Sequence, residues 1–364
     1  MNKCVVWSLL TIIMIHSAVA EQQVIRVLNW SEFITLDDNV DPALPIAERS
    51  PVLKQFMQEF DCKIEYYEYD DTNQMLQMTT NTPGFYDVVI SSHSDIKKLI
   101  TAQQLHPLIP EDFSNYKYLI PKFNAQIVAG NENFYIPYLV GTTGLLYRKD
   151  LCEKPVTGWI DLFKPEQYLK GKINLLDDML LSFPMALQSL GYGPNSQIPD
   201  QINQAGRLIY NLKNNNFLNS VSSHIPDVIA DLASGKCYVT PMFSGDALSA
   251  IEKYGADKLA YILPHEGGEF YVDAFILLKS SNHKILGKKF INFMIRPEVH
   301  AQNAIYLKYQ CPNKAALEFI RKMAPSQLEN LAIYPKGQDL RNLRSYGNYH
   351  PDILRLWTKI FDVK

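Results

Sequence analysis

Four stretches of the chain set acids or aromatic rings just beyond apolar, strand-like runs. Trp30 and Phe33 follow Val24 to Leu28, and Asp177 and Asp178 follow Lys172 to Leu176. Phe243 and Asp246 follow Tyr238 to Met242, and Tyr271 and Asp273 begin the run to Leu278. Those residue types suit an organic cation. Face-on contact with an aromatic ring attracts an ammonium by about 0.5–2 kcal/mol. An ammonium taken out of water must meet a carboxylate, or its burial is strongly unfavourable. A ligand made of ammonium groups joined by methylenes therefore needs acids at its nitrogens and rings along its carbons. The same residues also have a plainer reading, because aspartates cap helices and aromatics fill cores. Spacing alone leaves both readings open.

Signatures of catalysis are missing. There is no G-x-S-x-G, no H-E-x-x-H, no G-x-x-x-x-G-K-[ST] and no G-x-G-x-x-G in the chain. Ser92-His93-Ser94-Asp95 holds the residue types of a triad, but triads assemble from distant positions, and neighbours in a loop point in different directions. The eight histidines are scattered without ligand spacing, so neither a metal nor a cofactor is expected, and the chain is not read as an enzyme.

The elements that must position these residues alternate. Val24 to Leu28 reads as a strand, and Ser50-Pro51 as a helix start with Val52, Leu53, Phe56, Met57 and Phe60 at helical spacing. Lys63 to Tyr69 alternates as a strand, Thr72 to Thr80 reads as a helix, and Tyr86 to Ile90 as a buried strand. Ser94 is read as the cap of a helix from Asp95 to Ala102. This β-α-β-α-β order predicts a mostly parallel sheet covered by helices. Ligands bind such sheets beyond the carboxyl ends of the strands, which singles out the loops 29–33 and 91–94. Tyr135 to Tyr138 and Gly144 to Tyr147 read as two strands around Gly141, a crossover to a second lobe. Val272 to Leu278 reads as the return strand, and Pro351 to Phe361 as an amphipathic surface helix. More than one crossing makes a hinge.

Composition narrows the class. The chain has 364 residues, too many for one core, so two lobes are expected. Met1 to Ala20 joins Lys3 to an apolar run, Val5 to Ile15, and ends in Ala18-Val19-Ala20, as a cleavable export signal does. The expected compartment is the periplasm. A formal net charge of −3 without a basic patch excludes a nucleic-acid partner. Cys62, Cys152, Cys237 and Cys311 are far apart, with no C-x-x-C spacing. In an oxidising compartment they form either up to two disulfides, in any of three pairings, or buried free thiols.

Several blocks resemble one known family. Leu28-Asn29-Trp30-Ser31-Glu32-Phe33 is similar to the opening block of the periplasmic spermidine/putrescine-binding proteins. Tyr86-Asp87-Val88-Val89, Ile136-Pro137-Tyr138, Trp159 to Pro165, Leu176-Asp177-Asp178, Leu190-Gly191-Tyr192, Pro264 to Gly268 and Ile291-Asn292-Phe293 resemble further blocks, in order, over nearly the whole chain. The resemblance implies an α/β, two-lobed periplasmic binding protein (type II) fold, with a crossover hinge and a central cleft. It implies a polyamine ligand and an inner-membrane ABC permease as partner, with the subunit acting as a monomer. Binding of another cationic amine, or a ligand-sensing role, is the alternative. Lobe 1 is expected over 21–142 and about 272–317, and lobe 2 over 143–271 and about 318–364.

The resemblance also implies a ligand set. Trp30, Ser31, Ser92, Asp178, Asp246, Asp273 and Tyr309 match family positions. Phe33 replaces a tyrosine, and Phe243 and Tyr271 replace tryptophans. Leu181 stands where spermidine binders carry a glutamate, Ser94 where they carry an aromatic, and Leu343 where the family has a glutamine. The depleted set points to a short or atypical polyamine rather than spermidine itself.

Overall fold

The computed structural model describes residues 22–124, 133–336, 341–342 and 351–361. The expected export signal and Leu343 lie outside the described residues. In chain order the strands are β1 (Gln23–Trp30), β2 (Cys62–Tyr69), β3 (Val88–Ser92), β4 (Ile136–Arg148), β5 (Ile173–Leu176), β6 (Leu218–Ser222), β7 (Val239–Phe243), β8 (Leu259–Ile262), β9 (Glu269–Leu277) and β10 (Arg341–Asn342). They pair in the order β2-β1-β3-β9-β4-β7-β5-β6, with β8 beside β4 and β10 beside β9.

Local chemistry sets the elements as the sequence suggests. Ser50 caps the helix Pro51–Phe60, its side chain accepting from the Leu53 N–H at 3.4 Å with proline in the first turn, and Val52, Leu53 and Phe56 face inward. β1 pairs in parallel with β2 and β3, and β5 in parallel with β6 and β7. β4 and β9 run antiparallel to each other, and β9 to β3 and β4 to β7. These two long strands belong to both halves of the sheet.

The two largest of the hydrophobic cores flank them. One joins Ile25, Val27, Phe56 and Ile64 to Phe275, Phe290 and Phe293. The other joins Leu145, Trp159, Phe183, Ile209 and Val239 to Ile353, Trp357 and Ile360 of the helix Pro351–Phe361. This is the α/β, two-lobed arrangement with crossing strands. Ile320 and Leu328, in the stretch expected to join lobe 2, pack instead on the first core.

The crossover differs from the expected pair of strands. β4 is one continuous strand of 13 buried residues with Gly141 in its middle. The glycine marks a close approach rather than a turn: a Cβ at Gly141 would lie 2.3 Å from the Tyr271 ring of β9. Two boundaries also move. Asn29 and Trp30 end β1 instead of lying in a loop, and the helix after β3 spans His93–Thr101 with Ser92, not Ser94, at its cap. The four cysteines are free thiols, and Cys62, Cys237 and Cys311 are buried as small apolar groups. No described helix is long and apolar enough to cross a membrane.

Candidate functional site

The candidate residues lie at the carboxyl ends of β1, β3, β5 and β7, along β9, and on the segment after the helix Pro297–Leu307. Strand register brings them together. Ser92 ends β3 directly opposite Asp273 of β9. The Trp30 ring lies 4.3 Å from that of Tyr69, its pairing partner on β2. Trp30 is turned to Asp273 and holds its carboxyl down somewhat, although the indole N–H meets no partner at hydrogen-bond geometry. Ser31 makes the turn after Trp30, with its N–H and Oγ donating to the Tyr69 carbonyl at 3.0 and 3.4 Å.

A row of aromatics crosses from one lobe to the other. Phe33 meets Tyr309 edge-on at 5.3 Å, Tyr309 meets Tyr271 at 6.4 Å, and Tyr271 meets Phe243 at 5.4 Å. Polar contacts follow the same path. The Tyr271 hydroxyl donates to that of Tyr309 at 3.3 Å, which donates to Asp246 Oδ2 at 3.4 Å. Phe33 is buried and also packs against Tyr138, so its role here is to hold Tyr309 in place.

The three aspartates share an electrostatic condition. Burial raises the Asp273 carboxyl to about 7 against its ordinary value of 3.8. Burial also raises Asp246 to about 6, although the Tyr309 hydroxyl favours its ionised form. Asp178 caps the helix Met179–Ser189 by accepting from the Leu180 N–H at 2.7 Å. It keeps solvent-exposed surface, yet protein crowds its carboxyl and lifts it to about 6. Asp95 raises it further and Lys98 lowers it, so Asp178 of lobe 2 faces the Ser92 end of lobe 1. Concentrated, partly neutralised acids beside aromatic faces are the groups that binding a multivalent cation requires. No group of three or more metal-ligating side chains occurs among the described residues.

Sequence reasoning missed three neighbours. Tyr69 is fully buried beneath Trp30, with its hydroxyl donating to the Ile90 carbonyl at 2.6 Å. Asp95 gathers Thr72 Oγ1 at 2.6 Å, Lys98 Nζ at 2.9 Å and Ser92 Oγ at 3.1 Å. Glu269 begins β9 and is fully buried. The period of 2 linking Glu269, Tyr271 and Asp273 was the available signal for the last of these.

Two α/β lobes joined by crossing strands, with acids and aromatics gathered between them, define a solute-binding architecture. The family model for bacterial extracellular solute-binding proteins matches residues 52–329, and the chain belongs to that family. It is accordingly a binding component and not an enzyme. The chain is 28% identical over 331 residues to the spermidine/putrescine-binding periplasmic protein of Escherichia coli, covering 89% of this chain and 86% of that one. It is 27% identical over 365 residues to a putrescine-binding periplasmic protein of Pseudomonas aeruginosa, covering 94% and 92%. Among solved structures it is similar to the spermidine/putrescine ABC transporter substrate-binding protein of Streptococcus pneumoniae, with a TM-score of 0.75 and 25% identity over 93% of this chain and 98% of that one.

Proposed function

We propose that this chain is the periplasmic substrate-binding subunit of a polyamine ABC importer, capturing a putrescine- or spermidine-type ligand between its lobes and delivering it to an inner-membrane permease. The observation that carries this reading is the row Phe33, Tyr309, Tyr271 and Phe243 with Asp246 and Asp273 beside it, and Asp178 facing the Ser92 end. Trp30, Ser31 and Ser92 complete the proposed ligand set. The names of the relatives support the ligand class.

Lobe 1 comprises 22–124, 133–142 and a return segment from about 272 that includes Ile320 and Leu328, and lobe 2 comprises 143–271 with the helix Pro351–Phe361. The subunit works as a monomer and is directed to the periplasm by Met1 to Ala20, which is then cleaved off. Calorimetric titration of ligand-free protein with putrescine, cadaverine, spermidine and spermine tests the reading. Saturable one-site binding of at least one of them is expected; no heat with any of the four overturns it.

A further inference from the structure

Glu269 is fully buried, and neither of its carboxyl oxygens has a hydrogen-bond partner. Among the described residues no other carboxylate is in this condition. Burial of an unpaired carboxylate is unfavourable, and the group answers by holding a proton. Burial pushes Glu269 well above its ordinary value, with the Asp178 charge adding to the effect. A leucine there would fill the space without that cost, so apolar packing alone does not call for an acid.

Register gives the direction of the side chain. Residues 269, 271 and 273 lie on one face of β9, because side chains alternate along a strand. Tyr271 and Asp273 belong to the cleft described above. Across the sheet, Glu269 pairs with Thr143 of β4 on one side and with Arg341 of β10 on the other, and Thr143 pairs with Phe243 of β7. Laterally paired residues share a face, and the Phe243 ring meets Tyr271. Thr143 Oγ1 is itself buried and unpartnered. Two orphaned oxygen groups thus stand side by side, on the face that carries Tyr271 and Asp273, near Asp178.

We propose that Glu269 is a ligand-contacting, specificity-determining acid of the cleft, whose carboxylate takes an additional cationic nitrogen of a linear triamine, with Thr143 Oγ1 accepting a second N–H from the same nitrogen. This rests on the polyamine reading above. Reach supports it. Four residues of strand separate Glu269 from Asp273, about 13 Å. An extended chain advances about 1.2 Å per bond, so a diamine with four methylenes spans about 6 Å and a triamine with seven spans about 11 Å. With flexible carboxylates at both ends, the triamine bridges Asp273 and Glu269; the diamine satisfies one of them and leaves the other.

The test is calorimetric titration of wild type and Glu269→Gln with putrescine and spermidine, with thermal unfolding of both ligand-free proteins. Glutamine keeps the shape and removes the charge. Spermidine affinity should fall about tenfold or more while putrescine affinity changes less than about threefold, with an unfolding midpoint equal to or above that of wild type. Equal changes for both amines, or none, overturn the assignment, as does a destabilised variant that keeps full spermidine affinity. A ligand-side measurement needs no variant: on wild type, spermidine should bind about tenfold tighter than putrescine or better, and equal affinities overturn the assignment. Wild type that binds neither amine overturns the polyamine reading itself, so the two failures are distinguishable.

Discussion

The Tyr309 hydroxyl donates to Asp246 Oδ2 at 3.4 Å, and this bond ties lobe 1 to lobe 2. The preceding residue makes the same crossing: Lys308 Nζ lies 2.8 Å from Glu252 Oε2 on the helix Ser244–Tyr254. The exposed ion pair contributes little by itself. The tyrosine contact carries more weight, because Tyr309 is buried and water screens it less.

Removing that hydroxyl should loosen closure without opening a large cavity. Tyr309→Phe should weaken ligand affinity by about 0.5–1.5 kcal/mol, or about 2- to 12-fold. The loss should appear mainly as faster dissociation, which stopped-flow displacement reads directly. An unchanged dissociation rate would mean that the contact does not limit opening.

Asp273 is the most enclosed of the three aspartates, at 4% exposure. A ligand nitrogen placed against it loses its water and depends on the carboxylate in return. Asp273→Asn should cost more than about 2 kcal/mol in binding, because the ammonium is then buried without a counter-charge. The ligand-free variant should gain stability at pH 8, where the wild-type carboxylate is ionised and buried, and match wild type near pH 4, where that carboxyl is protonated. Paired calorimetry and thermal unfolding check both arms, and full affinity in the variant would remove Asp273 from the site.

The same acids set a pH dependence whose sign can be worked out. Their folded values of about 6 for Asp178, about 6 for Asp246 and about 7 for Asp273 all lie above the ordinary 3.8. Between those limits the folded state holds more protons than the unfolded chain. The associated stability is fully present below about pH 4 and is lost as pH rises through 6 to 7. A bound polycation reverses the trend, since it favours the ionised acids. Affinity should therefore rise with pH from 5 to 7, and binding at pH 6 should release protons. Titrations in buffers of different ionisation enthalpy measure that release; a pH-independent affinity would show that the ligand meets none of these carboxyls.

The sequence carried the fold well and the site unevenly, for physical reasons. Periodicity and caps are local, and the helix expected from Pro351 to Phe361 forms with those bounds. Gly141 was harder to read. A glycine between two apolar runs signals a break, whereas here it clears space for Tyr271, a residue 130 positions away. Asp178, Asp246 and Asp273 were legible as acids close to strand-like runs, although Asp273 lies within β9. Glu269 was not, because a carboxylate at the start of a strand reads as solvated until the fold shows it sealed without partners. Leu181, in the place of an expected acid, is buried; whether its lost charge is restored elsewhere depends on three-dimensional register, which no local pattern encodes.

Gly245 offers a last check on how the cleft is built. Its Cβ would lie 2.1 Å from Tyr309 Cε2 and 2.6 Å from the Leu307 carbonyl oxygen. The ring could swing aside, but only by abandoning Asp246, and the carbonyl belongs to backbone that cannot. Gly245→Ala should therefore cost about 1–3 kcal/mol of stability through overpacking, and should weaken binding more than Tyr309→Phe because it displaces the whole ring. Gly193→Ala is the matched control, since a Cβ there meets nothing within 4 Å. Denaturant unfolding and calorimetry on the pair separate the effects. If Gly245→Ala matches wild type in both, the close approach of Tyr309 to that helix is not what shapes the site.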